Sequence, residues 1–313
     1  MTDPRITREP RITRRRFHTA LGVSLAGALG HQRGLAEQAS GFRLNYILGS
    51  PMYGTTPLAE VLPEVKKTGA THLDIWPRPH ANHREQVADL GLDRFAEMLR
   101  EHGVGLGVIT RYDLGPYGLQ DEMRVLKRFG GRVIVTGARN ADGKTLRDRV
   151  KAFVANLQPH VAVADELDVT IGIENHANSL INEPDSLRYF AEFAASPHLG
   201  IALAPYHLPQ DEDLIAGIIA DLDKHLVFFQ GWQHGMGSRT KLPKEQELLQ
   251  LPGRGPLDFT PLLRALKRID YQGFTEIFMH PVPRGIPILD TTTAVTDEIN
   301  RARAYLEDCL AKA

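Results

Sequence analysis

From about residue 42 onward the chain alternates between two hydrophobic periods. Short apolar runs at 42–48, 71–76, 105–110, 132–136, 169–173, 200–203, 226–230 and 273–278 read as buried strands. Each is followed by a segment whose apolar residues recur at three- and four-residue spacing. These segments, at 58–67, 92–101, 120–129, 144–167, 184–195, 211–224, 257–268 and 297–311, predict helices. Strand then helix, repeated eight times, predicts parallel β/α units closing into a (β/α)8 TIM barrel, a single domain over 41–313. The stretch 235–255 is too long for an ordinary connection in such a barrel and predicts a lid or substrate-recognition loop.

The first 40 residues follow a different pattern. Thr13-Arg14-Arg15-Arg16-Phe17-His18 precedes a weakly apolar stretch at 20–30, and small residues follow through Gly34-Leu35-Ala36 to Ala39-Ser40. A basic region, a short apolar region and small residues near a cleavage point define an export signal. The paired arginines before Phe17 resemble the twin-arginine signal, a route that moves proteins already folded. This reading predicts a periplasmic or otherwise extracytoplasmic protein that uses the twin-arginine export machinery as a partner. The apolar stretch is too short to span a bilayer of roughly 30 Å, so no stable membrane span is expected.

Composition narrows the partners. A formal net charge of −1 gives no support for nucleic acid or an anionic membrane as ligand. The single Cys309 excludes an intramolecular disulfide. No glycine set at a strand-to-helix turn marks a nucleotide site, and no nucleophile elbow accompanies a Ser-His-Asp set.

The chemistry concentrates where strands end. Glu174 follows the fifth strand run and Glu276 lies in the eighth; His207 and His280 come shortly after the sixth and eighth, and Gln230 and His234 end and follow the seventh. The C-terminal ends of the strands are where a (β/α)8 barrel builds its active site. Ionised carboxylates in a barrel core are costly unless paired or bound to a cation, so Glu174 and Glu276 point to a metal between them. His207, with Gln230 or His234, would complete a shell of oxygen and nitrogen donors suited to Mn²⁺, Mg²⁺, Co²⁺ or Zn²⁺. His176 stands close enough to Glu174 to support it or to contact substrate. His72 and Asp74 share one face of the second strand with Trp76. His80 and His83 follow in the next loop. Arg111 after the third strand, and Arg239 or Lys241 in the long loop, are candidates for holding an anionic group, and His280 is a further candidate contact.

Two stretches carry a family resemblance: Ile173-Glu174-Asn175-His176, and Pro252-Gly253-Arg254-Gly255-Pro256-Leu257-Asp258-Phe259 running on to Tyr271-Gln272-Gly273-Phe274-Thr275-Glu276. From about residue 42 to its end the chain resembles the sugar phosphate isomerase/epimerase family, the xylose isomerase-like TIM barrels. The resemblance implies that Glu174 and Glu276 are metal ligands that also move the proton beside a substrate carbonyl. It implies a small-molecule sugar or sugar derivative as substrate, and it is compatible with a homo-oligomer. Two positions depart from the family pattern. Ala204 stands where the strand-six aspartate is usual, with His207 kept three residues on, and Gln230 stands where strand seven usually offers histidine. The expectation is therefore a metal-dependent isomerase or epimerase working through an enediolate. The alternatives are a lyase or hydratase on 3-keto sugars or glycosides, or a barrel that binds sugar without reacting. A multi-zinc DNA-repair hydrolase on a related barrel would need more ligands and a basic face.

Overall fold

The computed structural model describes residues 41–235 and 240–313. The export-signal reading on 1–40 and the candidate Arg239 lie outside the described residues. The strands are β1 (Asn45–Gly49), β2 (His72–Ile75), β3 (Gly105–Thr110), β4 (Val133–Gly137), β5 (Thr170–Glu174), β6 (Leu199–Leu203), β7 (Leu226–Gly231) and β8 (Phe274–Ile277). They form a closed barrel in sequence order, every pairing parallel, with β8 returning to β1 through Ile47 opposite Glu276. The (β/α)8 TIM barrel expected from the alternation is the fold.

Around it run α1 (Leu58–Lys67), α2 (His83–Leu90), α3 (Leu92–His102), α4 (Gln120–Arg128), α5 (Leu146–Leu167), α6 (Pro184–Phe193), α7 (Glu212–Leu222), α8 (Lys244–Glu247), α9 (Thr260–Arg268) and α10 (Thr292–Lys312). The two faces of the strands explain the layering. Ile47, Val108, Val133, Val135, Ala202, Phe228 and Phe274 fill the barrel interior. Their neighbours, such as Leu73, Ile134, Ile173 and Phe229, point outward under the helices. A parallel barrel is buried on both faces, which is why its strands read as continuous apolar runs.

Three local differences from the sequence reading have physical causes. Residues after β2 form the extra helix α2, whose His83 and Val87 are buried; its polar composition concealed it. α10 begins earlier than its apolar spacing suggests, because Thr291 caps it by accepting a hydrogen bond from the Ala294 N–H. The described part of 235–255 is packed rather than detached. Leu248 and Leu251 are buried, and the Gln250 side chain accepts from Trp232 Nε1 (3.1 Å) and donates to the His280 carbonyl (2.9 Å). Gln250 thereby ties the ends of β7 and β8 together. Cys309 is buried and free. No helix among the described residues is long and apolar enough to cross a membrane.

Candidate active site

Three carboxyl groups sit at the upper end of the barrel, all buried: Asp74 on β2, Glu174 ending β5, and Glu276 on β8. Asp74 Oδ2 accepts from Trp76 Nε1 (2.7 Å) and Thr110 Oγ1 (2.8 Å). Its carboxyl meets that of Glu276, which also accepts from Gln230 Nε2 at 3.1 Å. Two carboxyls in contact cannot both ionise at low cost, so the pair retains a proton. Burial pushes Asp74 up to about 7, against the pull of its hydrogen bonds. Burial first, and then the charge of Asp74, hold Glu276 well above the usual carboxylate range. Gly49 makes this packing possible: a Cβ there would lie 2.2 Å from Glu276 Oε1.

Glu174 has a different setting. Burial raises it to about 8, while the Tyr112 hydroxyl and the charge of Arg284 pull it partly back. The buried Tyr112 hydroxyl lies against Glu174 and feels the charges of Glu276 and Asp74 as well. Beside Glu174 stand His176 and His207, their ring centroids 4.1 Å apart. One ligand atom from each of Glu174, His176 and His207 falls within 4.8 Å of the other two. His176 Nδ1 lies 2.7 Å from the Ala177 carbonyl. An N–H at Nδ1 leaves the Nε2 lone pair outward, the tautomer a metal ligand needs. Burial lowers the His176 pKa, which keeps the ring neutral.

The backbone explains how these two histidines meet. Asn175 is fully buried and bridges β5 to β6: its Oδ1 accepts from the Ala204 N–H (2.7 Å) and its Nδ2 donates to the Ala204 carbonyl (3.0 Å). The chain then turns through a short 3-10 segment, Pro205–His207, which carries His207. Ala204, the strand-six position at which the resemblance leads us to expect a carboxylate, has its main chain held by Asn175.

A cavity of about 240 Å³ opens above this arrangement, lined by Tyr112, Glu174, His176 and His280 together with the side chains of Arg139 and Arg284. His280 packs against His80 with ring centroids 4.5 Å apart. Burial and neighbouring Arg284 take His80 down to about 3; burial, with His80 next, holds His280 well below the usual imidazole range.

The structure gathers some of the expected site residues and disperses others. Glu174, His176 and His207 converge, and His280 lines the cavity. Glu276 and Gln230 lie together beneath it, bonded to each other and not lining it. His234 is exposed; its ring edges Tyr206 at 5.0 Å, and it is not part of the Glu174 cluster. Trp232 fills the space at the end of β7, stacked on Tyr206 at 3.9 Å. His72 begins β2 at the opposite end of the barrel, 5.3 Å from the Phe274 ring that begins β8. Arg111 turns away to pair with Asp113 and Glu122. Lys241 is exposed. Tyr112, Arg139 and Arg284 were not singled out in the sequence. Each follows a strand by a few residues, the one signal that pointed to them, and one they share with many loop residues.

The chain belongs to the xylose isomerase-like TIM barrel family, whose profile matches residues 62–305. No curated protein matches the chain by sequence. Among solved structures it is similar to a zinc-binding IOLI protein (17% identity over 86% of this chain and 99% of that one, TM-score 0.65). It is also similar to the 3-keto-D-glucoside 4-epimerase YcjR of E. coli (18% identity, 84% and 100%, TM-score 0.63). An L-ribulose 3-epimerase compares at 18% identity, 86% and 95% coverage, and TM-score 0.63. Likeness at such identities establishes the shared fold; the chemistry has to be argued from the site.

Proposed function

We propose that this protein is a sugar isomerase or epimerase that abstracts a proton next to a carbonyl. The observation that carries the reading is Glu174: a buried carboxyl on the cavity wall, raised to about 8 and flanked by a neutral imidazole. Burial raises the basicity of this carboxylate in the metal-free chain, and a carboxylate base beside the substrate C–H is what proton abstraction from a weak carbon acid requires. Glu174 accepts the proton and returns it to the enediolate, while the Asp74–Glu276 pair keeps its own proton beneath the cavity. Tyr112 lines the cavity beside Glu174, and its hydroxyl steadies the charge on Glu174.

A divalent cation fits one donor set here better than another. One carboxylate oxygen and two imidazole nitrogens from Glu174, His176 and His207 match the ligand types favoured by Zn²⁺, Co²⁺ or Mn²⁺, and suit Mg²⁺ less. The set read from the family pattern fits poorly: Ala204 has no donor atom, and Gln230 and Glu276 are engaged with each other. A cation held by Glu174, His176 and His207 would supply Lewis-acid stabilisation of charge on the substrate carbonyl oxygen.

The test is solvent deuterium exchange followed by NMR with L-ribulose, D-psicose, D-tagatose and a 3-keto-glucoside, using protein loaded with Zn²⁺, Mn²⁺ or Co²⁺. Exchange at the carbon beside the carbonyl is expected, reduced about 10²–10⁴-fold in Glu174→Gln. Absence of exchange across this panel, and with D-glucuronate and D-glucose 6-phosphate, in all three loaded forms would refute the reading. Ala204 favours a second reading, elimination from a 3-keto-glycoside, because the lost carboxylate weakens the four-ligand epimerase case. Release of the aglycone, with no epimer accumulating, would select it. We also propose export through the twin-arginine route, on the Arg14-Arg15-Arg16-Phe17 motif.

A further inference from the structure

Two cationic side chains face the cavity without a carboxylate to neutralise them. Arg139 comes from the loop after β4 and Arg284 from the loop after β8, and both line the space above Glu174. Neither takes part in an ion pair within 4.0 Å among the described residues. Other arginines in the same fold behave differently. Arg111, close in sequence to Tyr112, is engaged by two carboxylates and kept out of the cavity.

Arg284 is nevertheless held in place, by a neutral group. Arg284 Nη1 donates to His80 Nε2, and His80 in turn stacks on His280. An arginine can only donate, so this imidazole nitrogen must be an unprotonated acceptor. Arg139 lies over Gly115, a residue at φ +63° whose missing Cβ would be 2.9 Å from both Nε and Nη2. With no carboxylate paired to either guanidinium among the described residues, both charges are available to a ligand. Glu174 is the one acidic residue of the cavity wall, and it is assigned to the reacting centre. The cavity, about 240 Å³, lies below the roughly 300–1,000 Å³ of drug-sized ligand sites and suits a single sugar unit.

We infer that the substrate is an anionic monosaccharide, whose carboxylate or phosphate is received by Arg139 and Arg284 while its carbonyl end lies at Glu174. Planar guanidinium groups match the paired oxygens of either oxyanion. The inference rests on the isomerase reading for the reacting end only; recognition of charge stands on the arginines.

Binding is measured by calorimetry on the full chain with D-glucuronate, D-glucose 6-phosphate and neutral D-glucose. At least one anionic sugar should bind about tenfold or more tightly than glucose, and which one does identifies carboxylate or phosphate as the group received. The preference should fall about tenfold in Arg284→Gln or Arg139→Gln, vanish in the double variant, weaken with added salt, and survive in part in Arg284→Lys. Equal binding of all three sugars, or a preference unchanged in the double variant, would overturn the inference. Deuterium exchange on the same samples separates the two ideas. Charge preference without exchange leaves the anion site standing and removes the isomerase reading. Exchange on neutral ketoses, unaffected by the arginine substitutions, does the reverse.

Discussion

At the scale of single residues, the site depends on carboxyl groups that burial keeps from ionising. A carboxyl whose pKa is higher in the folded than in the unfolded chain binds more protons when folded. Its stabilising contribution is complete below its unfolded value and is lost as pH rises through its folded value. Asp74 rises from 3.8 to about 7 and Glu174 from 4.5 to about 8. His80 and His83, lowered to about 3 and about 4 chiefly by burial, have the opposite sign, and their contribution is lost as pH falls below about 6.5. Between about pH 6.5 and 8 the carboxyls therefore dominate. Chelator-treated protein should lose Tm steadily across that window, and Asp74→Asn should flatten part of the slope. A wild-type Tm independent of pH there would contradict the buried-carboxyl account. Tyr112→Phe should preserve the fold and shift the pH–rate profile, because the hydroxyl that steadies Glu174 is gone; an unmoved profile would remove Tyr112 from the mechanism. Glu174 and His207 were visible in the sequence because each closes or follows an apolar run. Tyr112, Arg139 and Arg284 were not, since each sits in a loop whose course depends on packing.

At the scale of elements, strands and helices were legible wherever apolar spacing dominated: α1 and β3 have the bounds the pattern predicts. The polar helix α2 escaped that logic. α5 is a good test of local coding, because Thr145 and Asp148 form a capping box at its start. Thr145→Ala should cost about 1 kcal/mol in denaturant melts and leave activity unchanged. Gly49 at the end of β1 is the contrasting case, where a strand residue is dictated by a side chain from β8. Gly49→Ala drives a methyl group toward Glu276 Oε1 and should destabilise by about 1–3 kcal/mol. It should also displace the Asp74–Glu276 pair, which a change in the pH dependence of Tm would report. Wild-type behaviour in both measurements would show that Glu276 has room to move.

For the whole molecule, the twin-arginine proposal makes its own prediction: replacing Arg14 and Arg15 with Lys should retain the protein in the cytoplasm, and unchanged export would refute it. The sequence by itself determined the barrel. Eight alternating runs leave few other ways to bury both faces of a parallel sheet, and strand ends then mark the active face. It also marked Glu174 and Glu276 as buried acids. Tertiary structure alone decided what those acids meet. Glu276 turned toward Asp74 and Gln230, across strands distant in sequence, while Glu174 turned toward His176 and His207. His72 went to the far end of the barrel, and Arg111 was captured by Glu122. The physical reason is that apolar periodicity is a local signal carried by neighbouring residues. The partner of a charged side chain is set by barrel closure and loop packing, which bring together residues that no spacing along the chain relates.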